Sequence, residues 1–431
     1  MVKALNSKDL RNICLNMLTD TLDRGKLSQY VLRETFSCVN PDASERAYIK
    51  RLFTGTLEKL VYLDHVLEQF SSVPLKKMKN VVRNILRMGL YQLKFMDSVP
   101  DYTVIDESVK LTRKRGFNNL CPFVNAVLRK CQREADDLEL PDHVKALFPK
   151  WIYDIIVSQY GSERAGKYFE SVSKDSDETF VRYNTGRAEP EHITAMLTEY
   201  GCSVRKTVIP GTRYPEFGIS GFASLTDLQA FRKGLITVQD PSSAFSILNA
   251  ADYIKENRLT LDVCAAPGGK SLLMAQLFPD AKVIARDLTQ GKVKLINENI
   301  ERLGAGNVSA QVWDALVTDE NSIGKADAVI ADLPCSGLGV VSKKPDILYR
   351  LKETDLKELA DLQRRILSVV SQYVKPQGIL IYSTCTVNRQ ENEDNTRWFT
   401  QNHSFELLKE QTLLKGEWEF DGFYYAYFRK N

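Results

Sequence analysis

The 431-residue chain predicts a multidomain fold: an all-α N-terminal third, a small α+β unit, and a C-terminal α/β domain on a parallel sheet. Three observations carry this. Apolar residues in the first third recur at helical spacing, and no stretch there alternates as a strand. Short strand and helix patterns mix between residues 173 and 233. From about residue 235 strands and helices alternate, which implies a parallel sheet covered on both faces. The length itself exceeds one ordinary core and favours several domains.

The first helix is expected after Ser7 as N-cap, with its stripe at Leu10, Ile13, Cys14, Met17 and Leu18 and a stop at Gly25. A second stripe runs Leu60, Leu63, Leu67 and Phe70. Two basic clusters follow, Lys76, Lys77, Lys79, Arg83 and Arg87, then Lys110, Arg113, Lys114 and Arg115. Residues 1–133 hold 23 Lys and Arg against 13 Asp and Glu, while the remainder is acidic at 35 against 42. A basic helical third joined to an acidic remainder suggests a polyanion-binding module attached to something else.

An acidic stretch bracketed by prolines, 134–149, reads as a linker, and a helix follows from Trp151 to about Val172. In the α+β unit, strands are expected at 179–184 and Val204–Ile209, with a helix at Glu189–Tyr200. The α/β part has expected strands at Leu235–Gln239, Leu259–Val263, Ala281–Asp287, Val308–Val312, Ala328–Asp332 and Gly378–Ser383. Its helices are expected at Ser271–Phe278, Thr289–Leu303, Thr354–Val374 and Glu391–Gln401. The aromatic run Phe423–Phe428 is expected as core and as an edge strand. The expected domains are 1–137, a helical linker 138–172, 173–233 and 234–431.

Composition excludes several classes. Apolar residues make up 43% and charged residues 26%, ordinary for a globular protein. No apolar run reaches bilayer length, and the first residues lack the apolar core of a secretion signal, so a cytoplasmic protein is expected. Eight cysteines without a Cys-x-x-Cys pair, and only four histidines, argue against a disulfide scaffold or a metal site.

Three motifs carry chemistry. The first is Asp262-Val-Cys-Ala-Ala-Pro-Gly-Gly-Lys270, after an apolar strand and opening a helix. Its glycines allow close approach of a ligand, and the helix N-terminus offers free N–H groups. Asp287 follows Gly268 by 19 residues at the next strand end, where an acid can bond a ribose diol. A nucleoside-bearing cofactor is implied. Gly269-Lys270-Ser271 could also close a phosphate loop, but that pattern needs glycine where Cys264 stands.

The second motif is Ala331-Asp-Leu-Pro-Cys-Ser-Gly-Leu-Gly339 and the third is Tyr382-Ser-Thr-Cys-Thr386. Asp287, Asp314, Asp332 and Cys385 all fall at the carboxyl ends of expected strands, the ligand edge of an α/β sheet. A thiol beside a methyl donor suits cytosine carbon 5, which is too weak a nucleophile on its own. Thiolate addition to carbon 6 makes carbon 5 enamine-like, and a carboxylic group near N3 stabilises the ring charge.

These motifs, with Gln239-Asp-Pro-Ser-Ser-Ala244 and Asp421-Gly-Phe-Tyr-Tyr-Ala426, resemble the NOL/NOP/Sun family of RNA cytosine-5 methyltransferases. The basic N-terminus resembles a NusB-type RNA-binding domain. The resemblance spans essentially the whole chain. It implies a Rossmann-like class I methyltransferase domain, an RRM-like small domain, S-adenosylmethionine as cofactor and 16S rRNA as substrate, with no membrane, no metal and a monomeric state. By position it implies Cys385 as nucleophile, Cys335 as the product-releasing cysteine and Asp332 between cofactor and base. It also implies a cofactor loop of Cys264, Ala265, Ala266, Pro267, Gly268, Gly269 and Lys270, Asp287 on the ribose and Asp314 near the adenine. Two departures stand out: Leu333 where alanine is common, and Arg286 beside Asp287. Lys343 and Lys344 are equally compatible with RNA phosphates and with solvent. Cys14, Cys38, Cys121, Cys131 and Cys202 are expected to pack.

Overall fold

The computed structural model describes residues 9–174, 178–207, 216–222 and 224–431. The chain divides into two compact units, one running to Lys174 and taking in the later segment Val341–Leu351, the other holding the rest.

The first unit is helical. Its opening helix, Leu10–Leu18, is capped by Asp9, whose carboxylate accepts from the Asn12 N–H at 3.1 Å. The cap expected at Ser7 lies outside the described residues. Ile13, Cys14, Met17 and Leu18 are buried, as their spacing requires. The helix continues through a π turn, Thr19–Asp23, before Gly25 turns the chain at φ 71°. Helices Ser28–Val39, Ala43–Glu58, Leu60–Phe70, Asn80–Phe95, Asp101–Lys114 and Cys121–Glu134 complete a core around Leu52, Phe53, Leu63, Ile85 and Leu128. The proline-bracketed stretch is packed rather than a free tether. It forms a short helix, Asp142–Lys145, and buries Val144 and Phe148, whose ring lies 4.8 Å from that of Phe169. The following helix, Lys150–Ser173, is broken at Gly161. Segment Val341–Leu351 docks in the same unit, where the Tyr349 hydroxyl donates to the Leu57 carbonyl at 2.6 Å.

The second unit holds two sheets. Strands β1 (Thr179–Tyr183), β2 (Ser203–Thr207), β3 (Glu216–Ser220) and β4 (Ile236–Val238) form an antiparallel sheet in the order β2-β3-β1-β4. Helix Pro190–Tyr200 buries Ile193 and Leu197 against it. Residues 208 and 209 of the expected second strand lie outside the described residues. Strand β4, expected within the large sheet, pairs with β1 instead, at Val181↔Val238. Its three residues carry no periodicity that could assign them to one sheet over the other.

The large sheet comprises β5 (Leu259–Asp262), β6 (Lys282–Asp287), β7 (Val308–Val312), β8 (Ala326–Asp332), β9 (Val374–Thr384), β10 (Phe405–Leu413) and β11 (Phe423–Lys430), ordered β10-β11-β9-β8-β5-β6-β7. Strands β5 to β9 are mutually parallel, whereas β11 runs antiparallel to both β9 and β10. Strand β11 is therefore not an edge. Residues Phe423 to Phe428 are all buried, so an unbroken apolar run sits where both faces are covered. The edge is β10, whose Glu406, Lys409 and Glu410 hide its strand character in the sequence. Helix Pro241–Ala251, not anticipated, starts on an Asp240 cap with proline at its first position. Among the described residues no helix is long and apolar enough to cross a membrane.

Candidate active site

The carboxyl ends of β5 to β9 form one edge, and every expected site residue lies along it. Beyond Asp262, the last residue of β5, the chain turns through Cys264 to Pro267 into Gly268, at φ 105°, which starts helix Gly269–Leu277. An L side chain rarely adopts that backbone angle, so glycine is required there. Ser271 donates to the buried Asp262 carboxylate at 2.5 Å, and burial pushes that carboxyl up to about 7. Burial likewise pushes the Cys264 thiol up.

Asp287 ends β6 with its carboxylate buried. Oδ2 accepts from the Ala266 N–H at 3.0 Å, and Oδ1 accepts from the Leu288 N–H at 2.8 Å and from Lys292 Nζ at 2.9 Å. A carboxylate offers about four acceptor positions, so one is left for a ribose hydroxyl, and a second if the half-exposed Lys292 swings away. Asp314 lies two residues past β7, half-buried, accepting from the Leu316 N–H at 2.9 Å. The neighbouring Arg286 does not intrude. Its guanidinium points to Asp319 at 2.5 Å and to Ser322, and lies 5.1 Å from the Trp313 ring.

The two thiols meet. Strands β8 and β9 pair in register at Asp332↔Ser383, which carries Cys335 and Cys385 off adjacent strand ends. Their Sγ atoms are 3.3 Å apart. The hydrogen bond with Cys385, followed by burial, holds the Cys335 thiol well above its ordinary range. Asp332 accepts from Lys270 Nζ and from the Ser383 hydroxyl, both at 2.7 Å. Lys270 also lies 5.1 Å from the Phe423 ring centroid. Leu333 is buried, its N–H bonded to the Ser383 carbonyl at 3.0 Å, so the departure from alanine leaves the strand pairing intact. Sequence reasoning placed Lys270 in the cofactor loop and did not link it to Asp332; 62 residues separate them, and no local spacing marks the pair. It also missed Ser383, although the residue lies two before Cys385 and so on the same strand face.

In the helical unit much of the basic charge is spent internally. Arg83 pairs with Asp23 at 3.0 Å, Arg87 with Asp64 at 2.6 Å, Lys110 with Asp106 at 2.7 Å, and Lys114 with Asp9. Arg115 donates to Asn16. Lys76, Lys77, Lys79 and Arg113 are exposed and make no ion pair with a described residue. Lys343 and Lys344 are exposed too. Of the remaining cysteines, Cys14, Cys121, Cys131 and Cys202 pack, but Cys38 is exposed on a helix face that the core does not use. Among the described residues no cluster of His, Cys, Asp and Glu could hold a metal.

A helical unit followed by a Rossmann-like sheet with this ligand edge has the architecture of a methyltransferase. Comparison with known proteins agrees: residues 250–429 match the family described as 16S rRNA methyltransferase RsmB/F, and residues 8–133 match the NusB family. A protein of Bacillus subtilis strain 168 named "Probable ribosomal RNA small subunit methyltransferase B" is 31% identical over 93% of this chain and 90% of its own length. The protein named ribosomal RNA small subunit methyltransferase B in Pasteurella multocida strain Pm70 is 28% identical over 97% and 96%. The crystal structure of PH0851 superposes over the whole of both chains with a TM-score of 0.83 at 25% identity. The chain belongs to the ribosomal RNA small subunit methyltransferase B family.

Proposed function

We propose that this protein methylates carbon 5 of a cytosine in 16S rRNA, with S-adenosylmethionine as donor and Cys385 as nucleophile. The observation that carries this reading is the thiol pair, 3.3 Å apart, beside an Asp332 already held by two donors. A thiol pair at a ligand edge suits covalent catalysis followed by assisted release.

The cofactor fits the residues present. Gly268 keeps the entry of helix Gly269–Leu277 clear of a side chain, and Asp287 retains acceptor capacity for a ribose. When bound, S-adenosylmethionine supplies an electrophilic methyl group. The remaining steps belong to the chain. Cys385 gives up its proton as its Sγ bonds carbon 6 of the cytosine; the electron pair of the 5,6 double bond moves into the ring, N3 takes a proton, and N3 and the amine then donate to the Asp332 carboxylate. Once carbon 5 carries the methyl group, its proton passes to solvent water. The bond from Cys385 Sγ to carbon 6 then breaks with the help of Cys335, and the thiol is regenerated. The helical unit holds RNA by its phosphates, and the target base is turned out of its stack to reach the thiols.

The test pairs Cys385→Ala with bisulfite sequencing of 16S rRNA in cells that carry only that variant. The variant should bind S-adenosylmethionine normally yet leave one 16S cytosine unprotected, with tRNA unchanged. Full protection of every 16S site would overturn the proposal.

A further inference from the structure

The two cysteine loops are joined beneath the thiols by one buried carboxylate, which the reaction above does not use. Glu391 lies six residues past Cys385 and is fully buried. Its Oε2 accepts from the Ser336 N–H at 2.8 Å and from Gln363 Nε2 at 3.1 Å. Its Oε1 accepts from the Ser336 hydroxyl at 2.5 Å and from Asn388 Nδ2 at 3.2 Å. The Ser336 hydroxyl also meets Thr386 Oγ1 at 2.7 Å. Ser336 follows Cys335 and Thr386 follows Cys385, so Glu391, acting through the Ser336 hydroxyl, ties together the residues next to both thiols.

The surrounding contacts serve the same end. Gln363 Nε2 donates to the Pro334 carbonyl at 2.8 Å, on the other side of Cys335. The Gly339 N–H donates to the Cys385 carbonyl at 3.0 Å. A Cβ on Gly339 would meet the Cys385 carbonyl oxygen at 2.8 Å, and the Gly422 carbonyl oxygen at 1.9 Å, so a side chain there would push the two cysteine loops apart. All four acceptor positions of the Glu391 carboxylate are filled by donors. It therefore has no capacity left to carry a proton to or from substrate, and its part is geometric.

We propose that Glu391 is a positioning residue that sets the spacing of Cys335 and Cys385, through Ser336 and Thr386. The link to catalysis rests on the reading of those cysteines as the working thiols; the link to spacing does not. A misplacement of about 1 Å can cost on the order of a hundredfold in rate without weakening substrate binding.

The experiment uses the full-length protein and two readouts. The first is kcat and KM for methyl transfer to 16S rRNA. The second is closure of a Cys335–Cys385 disulfide in glutathione buffers, read by mass spectrometry of the linked peptide. In that exchange oxidised glutathione takes up the two electrons and two protons of the thiols and leaves as two reduced molecules. Glu391→Ala should lower kcat about a hundredfold with KM unchanged, and should shift disulfide closure at least tenfold towards the open pair. Glu391→Gln, whose single amide oxygen can accept from only two of these four donors while its NH2 faces the other two, should recover only part of both. Ser336→Ala keeps the backbone bond and serves if Glu391→Ala does not fold; it should move both readouts in the same direction by a smaller factor. A folded Glu391→Ala or Ser336→Ala protein with wild-type kcat and wild-type closure overturns the proposal. Altered closure with unchanged kcat would uphold the spacing role and sink the assignment of the thiols.

Discussion

Cys335 Sγ and Cys385 Sγ stand 3.3 Å apart, at the ends of neighbouring parallel strands. The thiol hydrogen bond, burial, and the nearby Glu391 and Asp332 carboxylates all disfavour charge on Cys335. Under the proposed mechanism Cys385 is the sulfur that attacks, and a Cys335 held in its neutral form is suited to assist release.

The division of labour has a direct signature. Cys335→Ala should let the carbon 6 adduct form and block its release, so protein and RNA should remain joined through denaturing electrophoresis. Cys385→Ala should give no such band, and the double variant none either. A trapped band from Cys385→Ala alone would reverse the two roles.

Lys270 is the partner of Asp332, and it is mostly buried. Lys270→Met keeps the bulk beside Phe423 but removes the cation, so Asp332 loses the charge that orients it. Loss of one aimed electrostatic interaction in an active site costs on the order of 10²–10³ in kcat. Steady-state kinetics should show this with far smaller change in RNA affinity. Wild-type kcat would mean that the Ser383 hydroxyl alone holds Asp332.

Arg286 and Asp319 form an ion pair of 2.5 Å with both side chains nearly buried. Asp319→Ala removes the countercharge of a nearly buried guanidinium and should destabilise the protein by about 3 kcal/mol, the low end for a broken buried pair. Thermal denaturation reads this, and S-adenosylmethionine affinity should not change. The pH dependence has a definite sign. The Ser322 hydroxyl and the Arg286 guanidinium hold the Asp319 carboxyl below its usual value. Its folded pKa is thus lower than its unfolded one, so its stabilisation is present above about pH 4 and fades as pH falls further. The Asp319→Ala protein should lack that part of the acid sensitivity.

RNA affinity should depend most on the exposed lysines that no described acid pairs. Replacing Lys76, Lys77 and Lys79 with alanine should reduce the slope of log affinity against log salt by about one for each phosphate that is no longer neutralised. Replacing Lys110 and Lys114, already paired with Asp106 and Asp9, should change it less. Equal effects from both sets would mean that those ion pairs open when RNA binds.

The periodic elements were legible because their pattern is local. The stripe Ile13, Cys14, Met17 and Leu18 and the strand Val308–Val312 stand where spacing puts them, since a helix face or a strand needs only its own residues to define it. The position of β11 was not legible. An aromatic run is compatible with edge or centre, and only pairing with both β9 and β10 decides. The same holds for β4, too short to carry a period. Charge misled in one respect: Arg83, Arg87 and Arg115 count towards a basic surface in the sequence but are bonded inward in the fold.

The sequence by itself determined the kind of site: a glycine turn, acids and two cysteines at strand ends, because parallel strands deliver their carboxyl ends to one edge. The tertiary structure alone decided how those residues act on each other. The 3.3 Å between two thiols 50 residues apart, the Lys270–Asp332 pair, and the Glu391 carboxylate beneath both loops are all products of strand order and register. Such contacts join residues distant along the chain, and no local pattern of residue types encodes the separation of two atoms brought together by the fold.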